Sequence, residues 1–399
     1  MNFDFKELKS QFKKELTDNI LKYWTTEVYD SNKKIFIGKI DNNNKKYPEA
    51  SVSAVYISRI LWTFSAAYRV YPTPENKKMA EEAFRIVIED FWDEENGGIF
   101  WSVFAGGKPE ETKKHFYAQA FFIYALSEYY LAFRNEKAKQ IAVSLFMLIE
   151  SFGYDSEFGG YFEAASANWE KPTDQRLSEK DLDTEKSMNT HLHILEAYTN
   201  LYRIFNDNHL KKRLKELINI FQTNIINTET GHLFIYFNKN WAPYTNYISY
   251  GHDIETTWLL CEAAEVLGDK TIIKVVKDRA VELSEIFYKE GVAKHGGIYH
   301  EKIDGNLLEQ FDWWVQAESV IGFFNSWQIS GDKKFLQQAL KSWEFIQQNI
   351  IDKKYGEWIW GVDSNLKPLS NNKTCHWKSS YHNSRMCLEM VKRIQKEIS

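Results

Sequence analysis

Three histidines stand at comparable places, near the starts of segments that are predicted to be helices. They are His191, His252 and His382. The partial positive charge of a helix N-terminus disfavours the imidazolium form, so such a histidine stays neutral near pH 7 and can act as a base. Two histidines that face one substrate from different helices suit removal of a proton on one face and its delivery on the other. The pattern therefore predicts proton abstraction next to a carbonyl group.

A cation and a carboxylate complete this chemistry. Arg59 lies in an apolar stretch, where an unpaired charge is costly, so it needs a carboxylate or a ligand oxygen. Together with a histidine it could hold the oxygen of an enediolate. Glu255 comes three residues after His252, about one helical turn away, and is predicted to hydrogen-bond to it and orient it.

Two other kinds of site compete with this interpretation. Glu255 and Glu318 could be the pair of carboxylates that a glycoside hydrolase needs. His191 and His193 could bind a metal, but residues two apart on a helix point about 200° away from each other. The chain also lacks H-E-x-x-H, paired cysteines and the glycine-rich phosphate motifs. We therefore expect neither a metal nor a nucleotide cofactor.

A short segment with glycine and aromatic residues recurs along the chain and is typical of a β-hairpin. Its glycines come 59 to 71 residues apart, and a degenerate first copy without the glycine lies at Lys34–Ile37. The five full copies are Asn96–Trp101, Phe158–Phe162, Gly231–Phe234, Gly296–Tyr299 and Tyr355–Trp360.

Two helices are predicted between consecutive hairpins, one aromatic and one amphipathic. The aromatic helices are predicted at roughly 49–71, 113–134, 185–206, 250–267, 308–330 and 379–398, and the amphipathic ones at roughly 3–26, 75–92, 136–151, 209–226, 270–289 and 332–351. A linear solenoid would need polar end units, and the first and last units are no more polar than the others. We therefore predict an all-α protein, an (α/α)6 barrel of twelve helices with short β-hairpins at one rim and a single catalytic domain over 1–399.

The composition narrows the function classes. Aromatic residues make up 16% of the chain, which favours a protein that binds sugars by ring stacking. The net charge of −5 gives no sign of the basic stripe that binds nucleic acid. No apolar run is long enough for a signal peptide or a membrane span, and the three cysteines are few and widely spaced, as in a reducing compartment. We expect a cytoplasmic protein, a monomer or weak homodimer, whose partner is a small sugar and neither nucleic acid nor membrane.

Four motifs together resemble a known family. They are Lys186–His193, Gly251–Trp258, Trp313–Glu318 and Tyr381–Arg385. The chain resembles the N-acylglucosamine 2-epimerase superfamily over almost its whole length, and most closely its cellobiose 2-epimerase branch. The resemblance implies an (α/α)6 barrel and reversible conversion of the reducing-end glucose of a β-1,4-linked disaccharide to mannose, without metal or nucleotide. Cellobiose, lactose and mannobiose all remain open as the preferred sugar.

The resemblance also implies roles for individual residues. His382 and His252 would be the acid–base pair at C2, with His382 also opening the sugar ring, and Glu255 would support His252. Arg59 and His191 would bind the oxygens around C1 and C2. The sugar-binding residues would be Trp314 and Trp377, which stack on the rings, with Tyr117, Asn189, Trp258 and Glu318. An aldose–ketose isomerase, an N-acyl-hexosamine epimerase and a glycoside hydrolase remain as alternatives.

Overall fold

Six helices form the inner layer of the molecule. The computed structural model describes residues 4–179, 181–244 and 247–398. Most residues of the inner helices are buried, as expected for helices enclosed by others, and only the C-terminal turns of the sixth are exposed over several residues. Each contacts the next along the chain, and the last contacts the first, so the ring closes. They are α2 (Ala54–Val70), α4 (Phe116–Phe133), α6 (Met188–Tyr202), α8 (Tyr250–Leu267), α10 (Trp313–Ser330) and α12 (Tyr381–Glu397).

Six amphipathic helices pack around this ring and bury one face each. They are α1 (Phe5–Lys14), α3 (Pro74–Ile86), α5 (Glu136–Phe152), α7 (Asn208–Ile220), α9 (Lys270–Glu290) and α11 (Lys333–Phe345). Several continue as π-helical turns, at Glu15–Leu21, Trp24–Val28, Val87–Phe91, Phe221–Ile225 and Ile346–Ile350. The twelve helices of the described residues confirm the predicted all-α (α/α)6 barrel.

Short strands lie at the rim where the inner helices begin. Five inner helices follow directly on a strand, and each of these strands pairs antiparallel with a strand of the following unit. The strands are β1 (Tyr29–Asp30), β2 (Ile35–Phe36), β3 (Val52–Ser53), β4 (Ser102–Val103), β5 (Pro109–Glu111), β6 (Lys114–His115), β7 (Ala164–Ala165), β8 (Lys186–Ser187), β9 (Tyr236–Phe237), β10 (Tyr247–Ser249), β11 (Glu301–Ile303), β12 (Asn306–Leu308), β13 (Phe311–Asp312) and β14 (Gly361–Val362). Because these strands come first, most inner helices begin a few residues later than predicted.

The predicted glycine-aromatic hairpins are present, and the inner helices hold them in a repeated way. The fourth residue of α4, α6, α8 and α10 accepts a hydrogen bond from a main-chain N–H of the preceding hairpin. The acceptors and donors are Gln119 with Ile99 (2.9 Å), His191 with Tyr161 (2.8 Å), Asp253 with Leu233 (3.0 Å) and Gln316 with Ile298 (2.8 Å). We call these four contacts the hairpin clamps. They satisfy buried main-chain donors that would otherwise cost stability.

Some of the tryptophans support the hairpins. Trp169 and Trp241 lie over Gly98 and Gly160, where an added Cβ would come within 2.5 Å and 2.4 Å of the indole rings. Both glycines have φ near +76°, which side-chain-bearing residues rarely adopt. The high aromatic content is therefore partly structural.

Among the described residues, no helix combines the length and the apolar character that crossing a bilayer requires.

Candidate active site

A cavity of about 660 Å³ opens at the rim where the inner helices begin. Its size suits a disaccharide, and both polar and aromatic side chains line it. Eight of the predicted site residues contribute to its wall: Arg59, Tyr117, Asn189, His252, Glu255, Trp314, Trp377 and His382.

His382 lies in the first turn of α12 and is held by a carboxylate. Its Nδ1 is 2.8 Å from Oε1 of Glu318. An ionised carboxylate can only accept, so Nδ1 carries the proton and Nε2 keeps its lone pair. Burial, followed by the charges of Arg59 and Arg385, lowers the pKa of His382 well below its usual value. His382 is therefore neutral at pH 7 and can act as a base.

His252 lies in the first turn of α8 beside Trp314, with ring centroids 4.8 Å apart. Its Nδ1 is 2.7 Å from the hydroxyl of Ser249, which can donate or accept. Burial, with His193 and His300 nearby, lowers the pKa of His252 to about 3. The ring is neutral at pH 7, and either tautomer is compatible with its partner.

Arg59 supplies a positive charge to the cavity wall. It donates to the main-chain oxygen of Trp377 at 2.8 Å and to the hydroxyl of Tyr117 at 3.1 Å. Its guanidinium lies 4.6 Å from the centroid of the Phe121 ring. In the described part of the chain no carboxylate comes within ion-pair distance of Arg59. Because its protein partners are neutral, an anionic oxygen in the cavity would be stabilised here.

Aromatic and amide groups form the rest of the wall. Trp314 contacts both catalytic candidates, since its ring centroid is also 5.7 Å from that of His382. Trp377 packs against Trp101, with their ring centroids 5.8 Å apart. Asn189 lines the cavity, and its buried Oδ1 has no hydrogen-bond partner among the described residues.

Comparison with known proteins identifies the family. The profile of N-acylglucosamine 2-epimerase (GlcNAc 2-epimerase) matches residues 36–385. The chain belongs to the N-acylglucosamine 2-epimerase family. It is therefore a carbohydrate epimerase, and the family predicted from the four motifs is confirmed.

Individual relatives match over their whole length. The chain is 43% identical to the cellobiose 2-epimerase of Bacteroides fragilis over 392 residues, which is 96% of this chain and 98% of that protein. It is 37% identical to the cellobiose 2-epimerase of Dictyoglomus turgidum, covering 98% of this chain and 100% of that protein. The solved cellobiose 2-epimerase of Bacillus thermoamylovorans B4167 superposes with a TM-score of 0.93 at 36% identity, over 97% of this chain and 100% of that one.

His191 lies away from the cavity, so it cannot bind the oxygens around C1 and C2 of the sugar as predicted. His191 accepts from the N–H of Tyr161 at 2.8 Å through Nε2, and its Nδ1 is 2.7 Å from the main-chain oxygen of Ser187. Both ring nitrogens are thus used by the main chain. His193 lines the cavity instead, with Nδ1 3.0 Å from Glu196.

Two predicted sugar-binding residues are also displaced, because they lie one turn deeper than the cavity wall. Glu318 is fully buried behind His382, and Trp258 is 1% exposed. Trp258 donates through Nε1 to Glu318 at 3.0 Å. Glu318 therefore holds His382, Trp258 holds Glu318, and neither residue lines the cavity.

The predicted hydrogen bond from Glu255 to His252 is wrong. Glu255 accepts from Nη2 of Arg385 at 2.5 Å, while His252 pairs with Ser249. Burial, followed by the charge of Glu318, raises the pKa of Glu255 to about 7. Glu255, Glu318 and His382 bring potential metal-ligating atoms within 4.8 Å of one another, but Arg385 already donates to both carboxylates there.

The sequence interpretation missed several cavity residues. One of them, His193, had a signal: it is four residues after Asn189 and so shares its helix face, whereas His191 does not. The others come from the rim loops and strands, where no periodic pattern indicates direction. They include His300, Gln310, Asp312, Trp360 and Asn371.

Proposed function

We propose that the enzyme catalyses reversible C2 epimerisation of the reducing-end glucose of cellobiose, or of a related β-1,4-linked disaccharide such as lactose or mannobiose, to mannose. The observation that carries this is the pair His252 and His382. Both are neutral, both line one cavity, and both contact the same tryptophan, Trp314. The names of the relatives support the substrate class.

The reaction requires an open-chain sugar, because the free aldehyde makes the C2 proton acidic. One histidine opens the ring by moving a proton between the anomeric hydroxyl and the ring oxygen, and we assign this to His382. One histidine then takes the C2 proton, and the electron pair moves to the carbonyl oxygen to give an enediolate. The other histidine, after taking up a proton from solvent, returns it to C2 on the opposite face, and the first histidine releases the abstracted proton to solvent. The direction of reaction decides which of the two is the base.

The enediolate needs a positive partner where its charge develops. We assign this role to Arg59 and to the Tyr117 hydroxyl that it contacts, and we assign to His193, in place of His191, the binding of an oxygen of C1 or C2. Trp314 and Trp377 supply apolar faces for the sugar rings, and Asn189 adds an amide group to the same cavity wall. Glu255 and Glu318 support the site through Arg385 and His382.

An aldose–ketose isomerase would share the enediolate and differ only in reprotonation at C1, so the products separate the two activities. A hydrolase is not favoured, because Glu318 lies outside the cavity and both Glu255 and Glu318 bind Arg385. An N-acyl-hexosamine epimerase would instead act on a monosaccharide with an acetamido group.

The test is product analysis by chromatography after incubation with cellobiose, lactose, mannobiose and N-acetylglucosamine. The proposal predicts a disaccharide with mannose at the reducing end. A keto-disaccharide as the main product would identify an isomerase, free glucose a hydrolase, and conversion of N-acetylglucosamine alone the monosaccharide epimerase. Glu128→Gln, which changes a buried carboxylate outside the cavity, is the control variant.

The remaining predictions complete the proposal. We propose a single catalytic domain over 1–399, a cytoplasmic location, and a monomer or weak homodimer. The cyclic helix contacts support the single domain, and the three free cysteines fit a reducing compartment.

A further inference from the structure

Arg385 lies directly behind the cavity and joins three inner helices. Its side chain is 1% exposed, and carboxylates from α6, α8 and α10 surround it. Nη2 donates to Glu255 at 2.5 Å and to Glu318 at 2.7 Å. Nη1 donates to Glu196 and to the hydroxyl of Tyr381. A planar guanidinium is suited to hold several oxygens in one fixed arrangement, which lysine is not.

Two of these carboxylates each hold a cavity histidine. Glu196 accepts through Oε2 from Nδ1 of His193 at 3.0 Å, and Glu318 accepts through Oε1 from Nδ1 of His382 at 2.8 Å. Because the carboxylates only accept, each ring in its neutral form carries its proton on Nδ1 and keeps the Nε2 lone pair. One buried cation thus stands behind two histidines of the same cavity.

The charge of Arg385 decides whether Glu196 and Glu318 stay ionised and so accept a hydrogen bond from each histidine. Burial raises the pKa of Glu318, and Arg385 opposes that shift. The pKa of Glu196 is lowered although burial opposes it, because Arg385 and His193 outweigh burial. Without the guanidinium, buried carboxylates would take up protons, and a carboxyl group could then donate to a histidine as well as accept from it.

We propose that Arg385 is a positioning residue that fixes the tautomer and orientation of His193 and His382 together, through Glu196 and Glu318. This rests on the proposed function, because it explains how the histidines of that site are set for proton transfer. His252 differs from them, since its partner is the hydroxyl of Ser249. The site therefore has two histidines in a fixed tautomer and one that can exchange tautomers.

The proposal predicts that one substitution at Arg385 disturbs two histidines, while one at Glu196 disturbs only His193. Arg385→Met removes the guanidinium and its charge from both Glu196 and Glu318, so we expect kcat to fall about 10- to 100-fold with little change in KM. Glu196→Gln keeps the shape and loses the charge. Glu128→Gln is the matched control, since this buried carboxylate of α4 binds Arg69 and Asn200.

The experiment combines kinetics with NMR of protein labelled with 15N at histidine, which reports the tautomer of each ring. We expect Nδ1–H signals for His193 and His382 in the wild type, a change in both in Arg385→Met, a change in His193 alone in Glu196→Gln, and neither change in Glu128→Gln. Unchanged tautomers of His193 and His382 in folded Arg385→Met would overturn the proposal.

If Arg385→Met fails to fold, Arg385→Lys replaces it, because an ammonium group cannot hold Glu196 and Glu318 together in the geometry of the guanidinium. Unchanged signals of both His193 and His382 in that variant would overturn the proposal. The NMR readout needs no substrate, so it also separates this inference from the proposed function. Wild-type protein without epimerase activity would contradict the function, while the tautomers would still test the role of Arg385.

Discussion

His191 and His193 lie two residues apart on α6, yet they belong to different regions of the molecule. His191 is a hairpin clamp, and the main chain occupies both of its ring nitrogens. His193 lines the cavity, with a carboxylate at Nδ1. Both are buried, so burial alone does not distinguish them. What distinguishes them is whether one nitrogen still faces the cavity, and this decides which histidine can do chemistry.

The other clamps show what the His191 position requires. Gln119, Asp253 and Gln316 occupy the same place in their helices and accept the same kind of hydrogen bond. An amide, a carboxylate and an imidazole share only an acceptor atom. The repeat therefore selects for a hydrogen-bond acceptor at this position, and the histidine there has a structural role.

The largest expected effect is in the cavity region. His382→Gln removes the imidazole that accepts or donates the C2 proton, so we expect kcat to fall about 10²- to 10⁴-fold. Conversion of cellobiose measures this, with circular dichroism to check folding. Activity within threefold of the wild type would show that His382 takes no part in proton transfer.

A smaller loss of activity is expected when His193, another histidine of the cavity, is replaced. His193→Gln removes a group that could bind a substrate oxygen, and we expect kcat/KM to fall about tenfold to 100-fold, the cost of one hydrogen bond to a charged group. The thermal midpoint should stay close to that of the wild type. A large loss of stability with normal kinetics would assign His193 to the structural region instead.

Loss of the histidine side chain at a hairpin clamp should lower the stability of the protein. His191→Ala leaves the N–H of Tyr161 buried without an acceptor, which should lower the free energy of unfolding by about 1–3 kcal/mol. Urea unfolding measures this, and Gln119→Ala is the matched variant, with a similar loss expected. If His191→Ala abolished activity in protein that is fully folded, the division between the two histidines would be wrong.

The smallest expected effect is a change in the pH dependence of the free energy of unfolding. Burial lowers the pKa of His191 to about 3, whereas an unfolded histidine titrates near 6.5. Between these values the unfolded chain binds more protons, so stability falls as the pH falls below about 6.5, by about 1.4 kcal/mol at pH 5.5 for this one residue. Unfolding at pH 7.5 and 5.5 should show a smaller pH effect in His191→Gln than in the wild type. An equal effect would mean that His191 is protonated in the folded protein.

The barrel was predictable because its signals repeat. The glycine-aromatic hairpins and the helical periodicity recur six times in some form, so errors in one unit are corrected by the others. The predicted boundaries of α8, Tyr250–Leu267, agree with the structure. The strands that directly precede five of the inner helices were not predicted, because two or three residues carry no periodic pattern.

The site was less predictable because it depends on the rotation and depth of single side chains. His191 was chosen over His193 from its place near the helix start, although the face shared with Asn189 favours His193. Trp258 and Glu318 carry the right chemistry but lie one turn below the cavity wall. The role of Arg385 depends on contacts among helices far apart in sequence, which no local motif reveals.

The most direct test of the central claim is proton NMR of the wild-type enzyme with cellobiose in deuterium oxide. We predict loss of the C2 proton signal of the reducing-end glucose together with new mannose-type reducing-end signals from sugar that carries deuterium at C2. Release of glucose without exchange at C2, or formation of mannose-type product that keeps the original C2 proton throughout, would contradict proton transfer by the two cavity histidines.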